Sequence, residues 1–200
     1  MMLLRLLSVL LVASFSLSAA AQELNELSTL LAKHSAFSAQ FEQSSYDENG
    51  QLMATSSGEA DLASEQRLRW ETTSPWPQLL IVNGSTVWLY DPDLEQASYR
   101  TIESSSPVNP ALLFNADVSA LAEVFEITLL PNGYRFTPLT ASQFSVIELV
   151  QDGDLIAGLN YVDLIGQRTE VTFFQHNFTA PENELFQFTP PDGVEVVIGG

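Results

Sequence analysis

Residues 67–96 read RLRWETTSPWPQLLIVNGSTVWLYDPDLEQ and are the most informative segment of the chain. Their apolar runs predict three consecutive strands over residues 67–72, 79–83 and 86–91, joined by Ser74-Pro75-Trp76-Pro77 and by Asn83-Gly84. Asn-Gly between two apolar runs favours a tight hairpin, because both residues tolerate the positive φ that such a turn requires. Apolar residues fall on both faces of the last two strands. The sheet is therefore either an ordinary β core or one wall of a lipid pocket.

The rest of the chain is mainly β. Residues 22–34 predict an amphipathic first helix, since their leucines recur at helical spacing. From residue 37 the apolar period changes to two, and about eleven short strands follow with turn signals between them. This pattern predicts one domain over residues 22–200, built on a single barrel-like antiparallel sheet.

Residues 104–126 interrupt the strand rhythm. Asn109-Pro110 favours a helix start and is followed by four apolar residues, Ala111, Leu112, Leu113 and Phe114. Asp117 is expected to cap a second short helix. An insertion this apolar in the middle of a sheet protein is expected to pack against the open face of the sheet.

Residues 1–21 have the layout of a secretory signal peptide, with Arg5, an apolar run over residues 6–17 and small residues at 18–21. Cleavage is expected after Ala21, which would leave an exported protein that starts at Gln22. The apolar run is shorter than the ~20 residues of a spanning helix. The chain contains no cysteine, so it can form no disulfide and cannot carry the acylated cysteine of a bacterial lipoprotein.

The chain is strongly acidic, with 25 acidic and seven basic residues and a net charge of −18. Loss of Arg5 with the signal peptide would leave six basic residues and a net charge of −19. Such a surface repels nucleic acid and anionic lipid headgroups, since attraction to either depends on Lys and Arg. The charge favours partners that carry basic patches, or it serves solubility alone.

The side chains offer little for catalysis. Only His34 and His176 could act as bases at neutral pH, and the sequence ties neither to a nucleophile. Asp91, Asp93 and Glu95 lack the loop glycine and the ligand count of a calcium site. The nucleotide-binding, serine-hydrolase and zinc-protease motifs are absent from the sequence. We therefore expect non-covalent chemistry, with no enzymatic activity, cofactor or metal.

Three segments of the sequence resemble one family: LRWETTSPWPQLLIVNGSTVWLYDPDLEQ, NPALLF and the terminal FQFTPPDGVEVV. They resemble the periplasmic outer-membrane lipoprotein carriers of Gram-negative bacteria, the LolA family. The resemblance implies an incomplete antiparallel β-barrel of about 11 strands that encloses an apolar cavity covered by helices. It implies a lipid-binding wall of Leu68, Trp70, Leu80, Val82 and Trp88, and a lid of Ala111, Leu112, Leu113 and Phe114.

One feature of the family is altered in this sequence. The family usually has Arg-Pro six and five residues before the tryptophan, and that arginine latches the lid in its closed state. Ser64-Glu65 stand there in this chain, and the nearby basic residues are Arg67 and Arg69. These two arginines are the candidates for a relocated latch.

The resemblance implies a monomeric, chaperone-like carrier that moves lipoproteins between the two membranes. It would accept them from an ATP-driven inner-membrane transporter, shield their acyl chains and deliver them to an outer-membrane acceptor, contributing to outer-membrane biogenesis. Because that acceptor is itself a lipoprotein, the absence of cysteine assigns this chain to the shuttle. A carrier for another lipid or glycolipid, a secreted esterase and a purely structural β-barrel are the alternatives.

Overall fold

A computed structural model describes residues 22–101 and 110–199. The predicted signal peptide, residues 1–21, and the predicted loop over residues 104–107 lie outside these ranges. The first helix, α1, covers residues 22–33. The other helices are the 3-10 helix η1 (Pro110–Asn115), α2 (Val118–Val124) and the 3-10 helix η2 (Asn183–Phe186).

Twelve strands form one sheet. Their bounds are β1 (Phe37–Tyr46), β2 (Leu52–Ala63), β3 (Arg67–Ser74), β4 (Gln78–Asn83), β5 (Thr86–Asp91), β6 (Gln96–Thr101), β7 (Phe125–Leu130), β8 (Gly133–Pro138), β9 (Phe144–Asp152), β10 (Leu155–Asp163), β11 (Arg168–Asn177) and β12 (Glu195–Ile198).

The strand order is β12-β6-β5-β4-β3-β2-β1-β11-β10-β9-β8-β7, so β12 and β7 are the two edges and the barrel is not closed. Neighbouring strands pair antiparallel except β12, which lies parallel to β6. The mainly β, incomplete-barrel prediction is confirmed. The twelfth strand comes from the C-terminal tail, whose short apolar run the sequence did not distinguish from a loop.

The three strands predicted in residues 67–96 are present, and β5 has the predicted bounds. The turn differs in detail, because Asn83 still pairs with Thr86 and the two turn residues are Gly84 and Ser85. Gly84 adopts a φ of +60°, which glycine allows without the steric cost that a side chain would add.

The helices α1, η1 and α2 cover one face of the sheet, as expected for the apolar insertion. Asp117 caps α2, and its side chain accepts hydrogen bonds from the backbone N–H groups of Ser119 (2.7 Å) and Ala120 (3.4 Å). A hydrogen bond from the Ser119 side chain, together with these two backbone bonds, lowers the pKa of the Asp117 carboxyl. Leucines of α1, the residues of η1 and the inward side chains of the strands form one apolar cluster.

The opposite face of the sheet is covered in part by the C-terminal tail. η2 packs against β3 and β4, where Phe186 is buried. Ile81 and Ala97 are also buried but lie outside the main apolar cluster. The tail therefore completes a second, smaller core on this face. Within residues 22–101 and 110–199, no helix is both long and apolar enough to cross a membrane.

Candidate functional site

The candidate site is the wall that β3 and β4 present to the helices. Side chains alternate along β3, so Leu68 and Trp70 face the apolar cluster while Arg67 and Arg69 do not. Leu68 pairs with Val82, and Trp70 pairs with Leu80. Four of the five predicted wall residues therefore lie side by side on one face, and Leu68 and Val82 are fully buried.

An aromatic seam connects this wall to the lid. The Trp70 ring stacks on Phe41, with ring centroids 4.1 Å apart, and meets the edge of Phe173 at 6.0 Å. The ring centroid of Phe114 in η1 lies 6.0 Å from that of Phe173 and 6.2 Å from that of Phe37. The sequence showed the period-two placement of Phe37 and Phe41. It did not show that β11 brings Phe173 beside them, because that pairing joins distant parts of the chain.

The predicted lid is η1, and it spans the concave face between β3 and β10. Its four apolar residues, Ala111, Leu112, Leu113 and Phe114, are all buried. The segment has neither an acidic residue in its first turn nor a basic residue in its last. A short 3-10 helix has poorer hydrogen-bond geometry than an α-helix, so η1 is held mainly by its apolar contacts.

Where the resemblance implies a cavity, the described side chains of wall and lid pack together. Wall and lid belong to one apolar cluster, and the lid residues fill the concave side. Two of the openings in the described part of the chain lie elsewhere. One of about 230 Å³ lies among apolar residues of α1, α2 and β7, and one of about 880 Å³ lies between α1 and the turns after β7 and β9. Acyl chains can reach the wall only if lid side chains leave it.

Trp88 is a correction to the predicted wall. It pairs with Ile81, the neighbour of Leu80 on β4, so alternation along the strand places it on the opposite face. There its ring centroid lies 5.0 Å from that of Tyr99 and 5.3 Å from that of Phe188 in the tail. The apolar residues of these strands occur on both faces because the sheet has two apolar coverings.

The candidate latch arginines also lie away from the lid. Arg69 contacts Asp61, at 3.3 Å, and Glu71, and Asp61 accepts a 2.6 Å hydrogen bond from the Ser38 hydroxyl. Arg67 donates to the backbone oxygen of Ser64 and to the Asn183 side chain.

The Arg67 guanidinium carbon also lies 5.4 Å above the centre of the Phe186 ring. The contacts of Arg67 with Asn183 and Phe186 therefore fit a clamp on the C-terminal tail, in place of the expected latch. Ser64 and Glu65, which stand at the family's latch position, lie in the turn between β2 and β3.

His34 fastens α1 to the sheet, a role the sequence did not reveal. Its Nδ1 lies 2.9 Å from the Leu30 carbonyl, and its Nε2 accepts a hydrogen bond from the Ile156 N–H at 3.3 Å. This pair of contacts requires the neutral ring with its proton on Nδ1. Burial lowers the pKa of His34, which favours the same neutral form. The His176 Nε2 lies 3.0 Å from the Ile156 carbonyl oxygen. The two histidines therefore contact the backbone N–H and the backbone carbonyl of the same residue.

Lys33 adds a second link between α1 and the sheet through a 3.2 Å ion pair with Asp154. This pair is largely exposed and therefore contributes little stability by itself.

Across the two described ranges, no group of three or more His, Cys, Asp or Glu residues could hold a metal ion. Asp91, considered above as a calcium ligand, instead accepts a hydrogen bond from the Leu94 backbone N–H.

Comparison with known sequences identifies one matching family. The family model described as outer membrane lipoprotein carrier protein LolA matches residues 32–189. A relative from Azotobacter vinelandii, named outer-membrane lipoprotein carrier protein, is 34% identical and covers 96% of this chain and 99% of its own length. Relatives with the same name from Pseudomonas aeruginosa and Coxiella burnetii are 32% and 30% identical, over 96% and 90% of this chain and 99% and 89% of their own lengths.

Solved structures share the fold. A LolA superfamily protein from Nitrosomonas europaea superimposes with a TM-score of 0.50 at 10% identity, over 80% of this chain and 96% of its own. A conserved protein from Thermus thermophilus gives 0.52 at 16% identity, over 90% and 99%. The overall fold thus recurs at low sequence identity.

Proposed function

The chain belongs to the LolA family of outer-membrane lipoprotein carrier proteins, and from this premise we propose that it carries lipoproteins across the periplasm. It accepts them from an ATP-driven inner-membrane transporter, holds their acyl chains against the β3–β4 wall, and yields them to an outer-membrane acceptor. It acts as a chaperone-like carrier and performs no covalent chemistry.

The observation that supports this proposal most strongly is the apolar seam between η1 and the wall. Leu68, Trp70 and Val82 lie beneath a lid whose own four residues are apolar, so acyl chains can replace the lid without exposing the wall to water. Such an exchange trades one apolar contact for another, and its net free energy is far smaller than that of opening the wall to solvent. The wall is therefore suited to a cargo that has to be released again.

The energetics of the cargo require a partner. A triacylated anchor buries on the order of forty methylenes in a bilayer, at about 0.8 kcal/mol each. A carrier that merely exchanges its lid for these chains cannot extract them, so the energy has to come from the transporter. The sequence contains no nucleotide-binding loop of its own, which fits this division of work.

The contacts of the helices indicate which element moves. α1 is tied to β10 through His34 and to the preceding β9–β10 turn through the ion pair of Lys33 with Asp154. η1 is a single short 3-10 segment held mainly by apolar packing. We expect η1 to leave the wall on loading while α1 stays on the sheet, and the two-state lid then accounts for both uptake and release.

Lipoprotein release from spheroplasts tests the proposal. Spheroplasts that express the cognate transporter are incubated with and without the purified mature protein, and the soluble fraction is probed for lipoprotein. We expect soluble lipoprotein in a stoichiometric complex with the protein. Lipoprotein that stays on the membrane would contradict the function.

Native mass spectrometry of protein purified from the periplasm separates this function from that of a carrier for another lipid. The mass of the species that co-purifies should be that of a lipoprotein. The mass of a free glycolipid would favour the alternative. An esterase is tested with a chromogenic ester, for which we expect no turnover above that of the His34→Ala, His176→Ala double variant.

A further inference from the structure

The turns of the sheet fall into two groups at opposite ends of the strands. Because neighbouring strands are antiparallel, the turns β1–β2, β3–β4, β5–β6, β8–β9 and β10–β11 lie at one end. The turns β2–β3, β4–β5, β7–β8 and β9–β10 lie at the other. Successive tips at the first end are two strand spacings apart, or about 10 Å. We call this first end the rim.

Every turn of the rim presents a large apolar side chain to solvent. Each of these residues is between 57% and 75% exposed: Leu52 and Met53 at β1–β2, Trp76 at β3–β4, Leu94 at β5–β6, Leu139 at β8–β9, and Leu164 and Ile165 at β10–β11. The four turns at the other end, residues 64–66, 84–85, 131–132 and 153–154, contain no large exposed apolar residue. Single exposed apolar residues are common and occur elsewhere on this surface, but all five rim turns carry one and none of the four opposite turns does.

Three of these tips are held in place by aspartates. The Asp47 side chain accepts hydrogen bonds from the N–H groups of Asn49 and Gln51, at 2.9 and 2.8 Å. Asp163 does the same for Ile165 and Gln167, each at 2.9 Å, and Asp91 accepts from Leu94 at 3.0 Å. The apolar tips are therefore presented on ordered turns, which lowers the entropy lost when they are bound.

The rim is also acidic. Its turns and their flanking positions carry six acidic residues, Asp47, Glu48, Asp91, Asp93, Glu95 and Asp163, against one basic residue, Arg168, which forms an ion pair with Glu170. This charge opposes contact with anionic lipid and favours a surface that carries Lys and Arg.

The rim is stepped as well. Ser57 of β2 is level with Ser74, the last residue of β3, and Leu52 lies five residues farther along β2, or about 17 Å beyond Ser74. A flat bilayer surface would meet the long β1–β2 hairpin well before it met Trp76. A shaped protein surface can meet both.

We propose that the rim docks a periplasmic protein whose surface offers apolar pockets bordered by Lys and Arg. This inference rests on the proposed function. The partner is a protein that gives lipoprotein to the carrier or takes it from the carrier. Trp76 is the expected centre of the contact, since exposed tryptophans that become buried dominate binding energy at protein interfaces. The acids around the tips accelerate encounter with the basic border.

The test uses two purified probes, the periplasmic domain of the cognate transporter and the acceptor without its acyl anchor. Binding to each is measured by biolayer interferometry for the wild type and for Trp76→Ser, Leu94→Ser. We expect affinity for at least one probe to fall about tenfold or more. Ile198→Ser is the matched control, because Ile198 is 78% exposed but lies at the far end of β12. It should bind like the wild type.

A second variant tests the charge. Glu48→Arg, Asp93→Arg reverses two acids that make no described hydrogen bond, and it should slow association and flatten its dependence on salt. Wild-type affinity in both rim variants, or no binding of either probe by the wild type, would overturn the inference. Binding to vesicles of neutral lipid is measured in parallel. A rim variant that loses vesicle binding but keeps wild-type affinity for both protein probes would overturn the inference in favour of a membrane surface. The spheroplast assay decides the carrier function independently of these results.

Discussion

Replacement of Phe114 by alanine should increase the affinity of the carrier for acyl chains. Phe114 is buried in η1, with ring centroids 6.0 and 6.2 Å from those of Phe173 and Phe37. If acyl chains displace the lid, this ring stabilises only the empty, closed state. Loss of the ring then destabilises the closed lid, which competes with the acyl chains for the wall. The free energy of the loaded state is left unchanged.

The size of the effect follows from packing. Removal of a buried phenylalanine ring costs about 3–5 kcal/mol in a rigid core, and about 3 kcal/mol corresponds to roughly a hundredfold in an equilibrium constant. A short lid can shift to recover part of this loss, so we expect the affinity to rise at least about tenfold. Binding is followed by fluorescence titration with a labelled diacylated lipopeptide held below its aggregation concentration. Urea unfolding of the empty protein is measured in parallel.

Phe186→Ala provides a matched control. Phe186 is equally buried, but it packs under the tail on the opposite face of the sheet. Both variants should lower the free energy of unfolding, and only Phe114→Ala should strengthen lipopeptide binding. Unchanged or weaker binding by Phe114→Ala would refute competition between lid and cargo.

Three further predictions concern the wall, the α1 fastening and the tail. Leu68→Glu should stay folded by circular dichroism, because lifting the lid hydrates the carboxylate, and it should load poorly in the spheroplast assay; an unfolded variant would make Leu68 ordinary core. Burial lowers the folded-state pKa of His34, so the unfolded chain binds more protons and stability should fall as the pH drops below about 6.5, by at most about 1.4 kcal/mol per pH unit. His34→Phe should be less stable at pH 8 and lack this part of the pH dependence, and an equal slope in both proteins would exclude His34 as its source. Arg67→Ala removes a hydrogen bond and a cation–π contact to the tail and should cost about 1–2 kcal/mol, with faster amide exchange over residues 183–188 and unchanged loading.

The sequence predicts much of the fold because its local signals agree with the final structure. Asp117 caps α2 as its position indicated, and the apolar run after Pro110 lies on the open face of the sheet. Alternation along β3 also places Leu68 and Trp70 together correctly.

The sequence could not assign the faces of β4 and β5, since apolar residues occur on both. The expectation that Trp88 lines the wall reflects this ambiguity, whereas its pairing with Ile81 and its contact with Phe188 in the tail place it on the opposite face. The link from His34 to Ile156 spans 122 residues, and such long-range pairing leaves no local trace in the sequence.

The role of the β3–β4 wall is tested most directly by quenching of Trp70 fluorescence with a lipopeptide that carries brominated acyl chains. Trp76→Phe, Trp88→Phe leaves Trp70 as the single tryptophan, buried beneath the lid and stacked on Phe41. Displacement of the lid predicts that Trp70 is quenched in step with binding, whereas Trp76 alone, in Trp70→Phe, Trp88→Phe, is not. A lipopeptide that binds and leaves Trp70 unquenched would contradict the role of the β3–β4 wall.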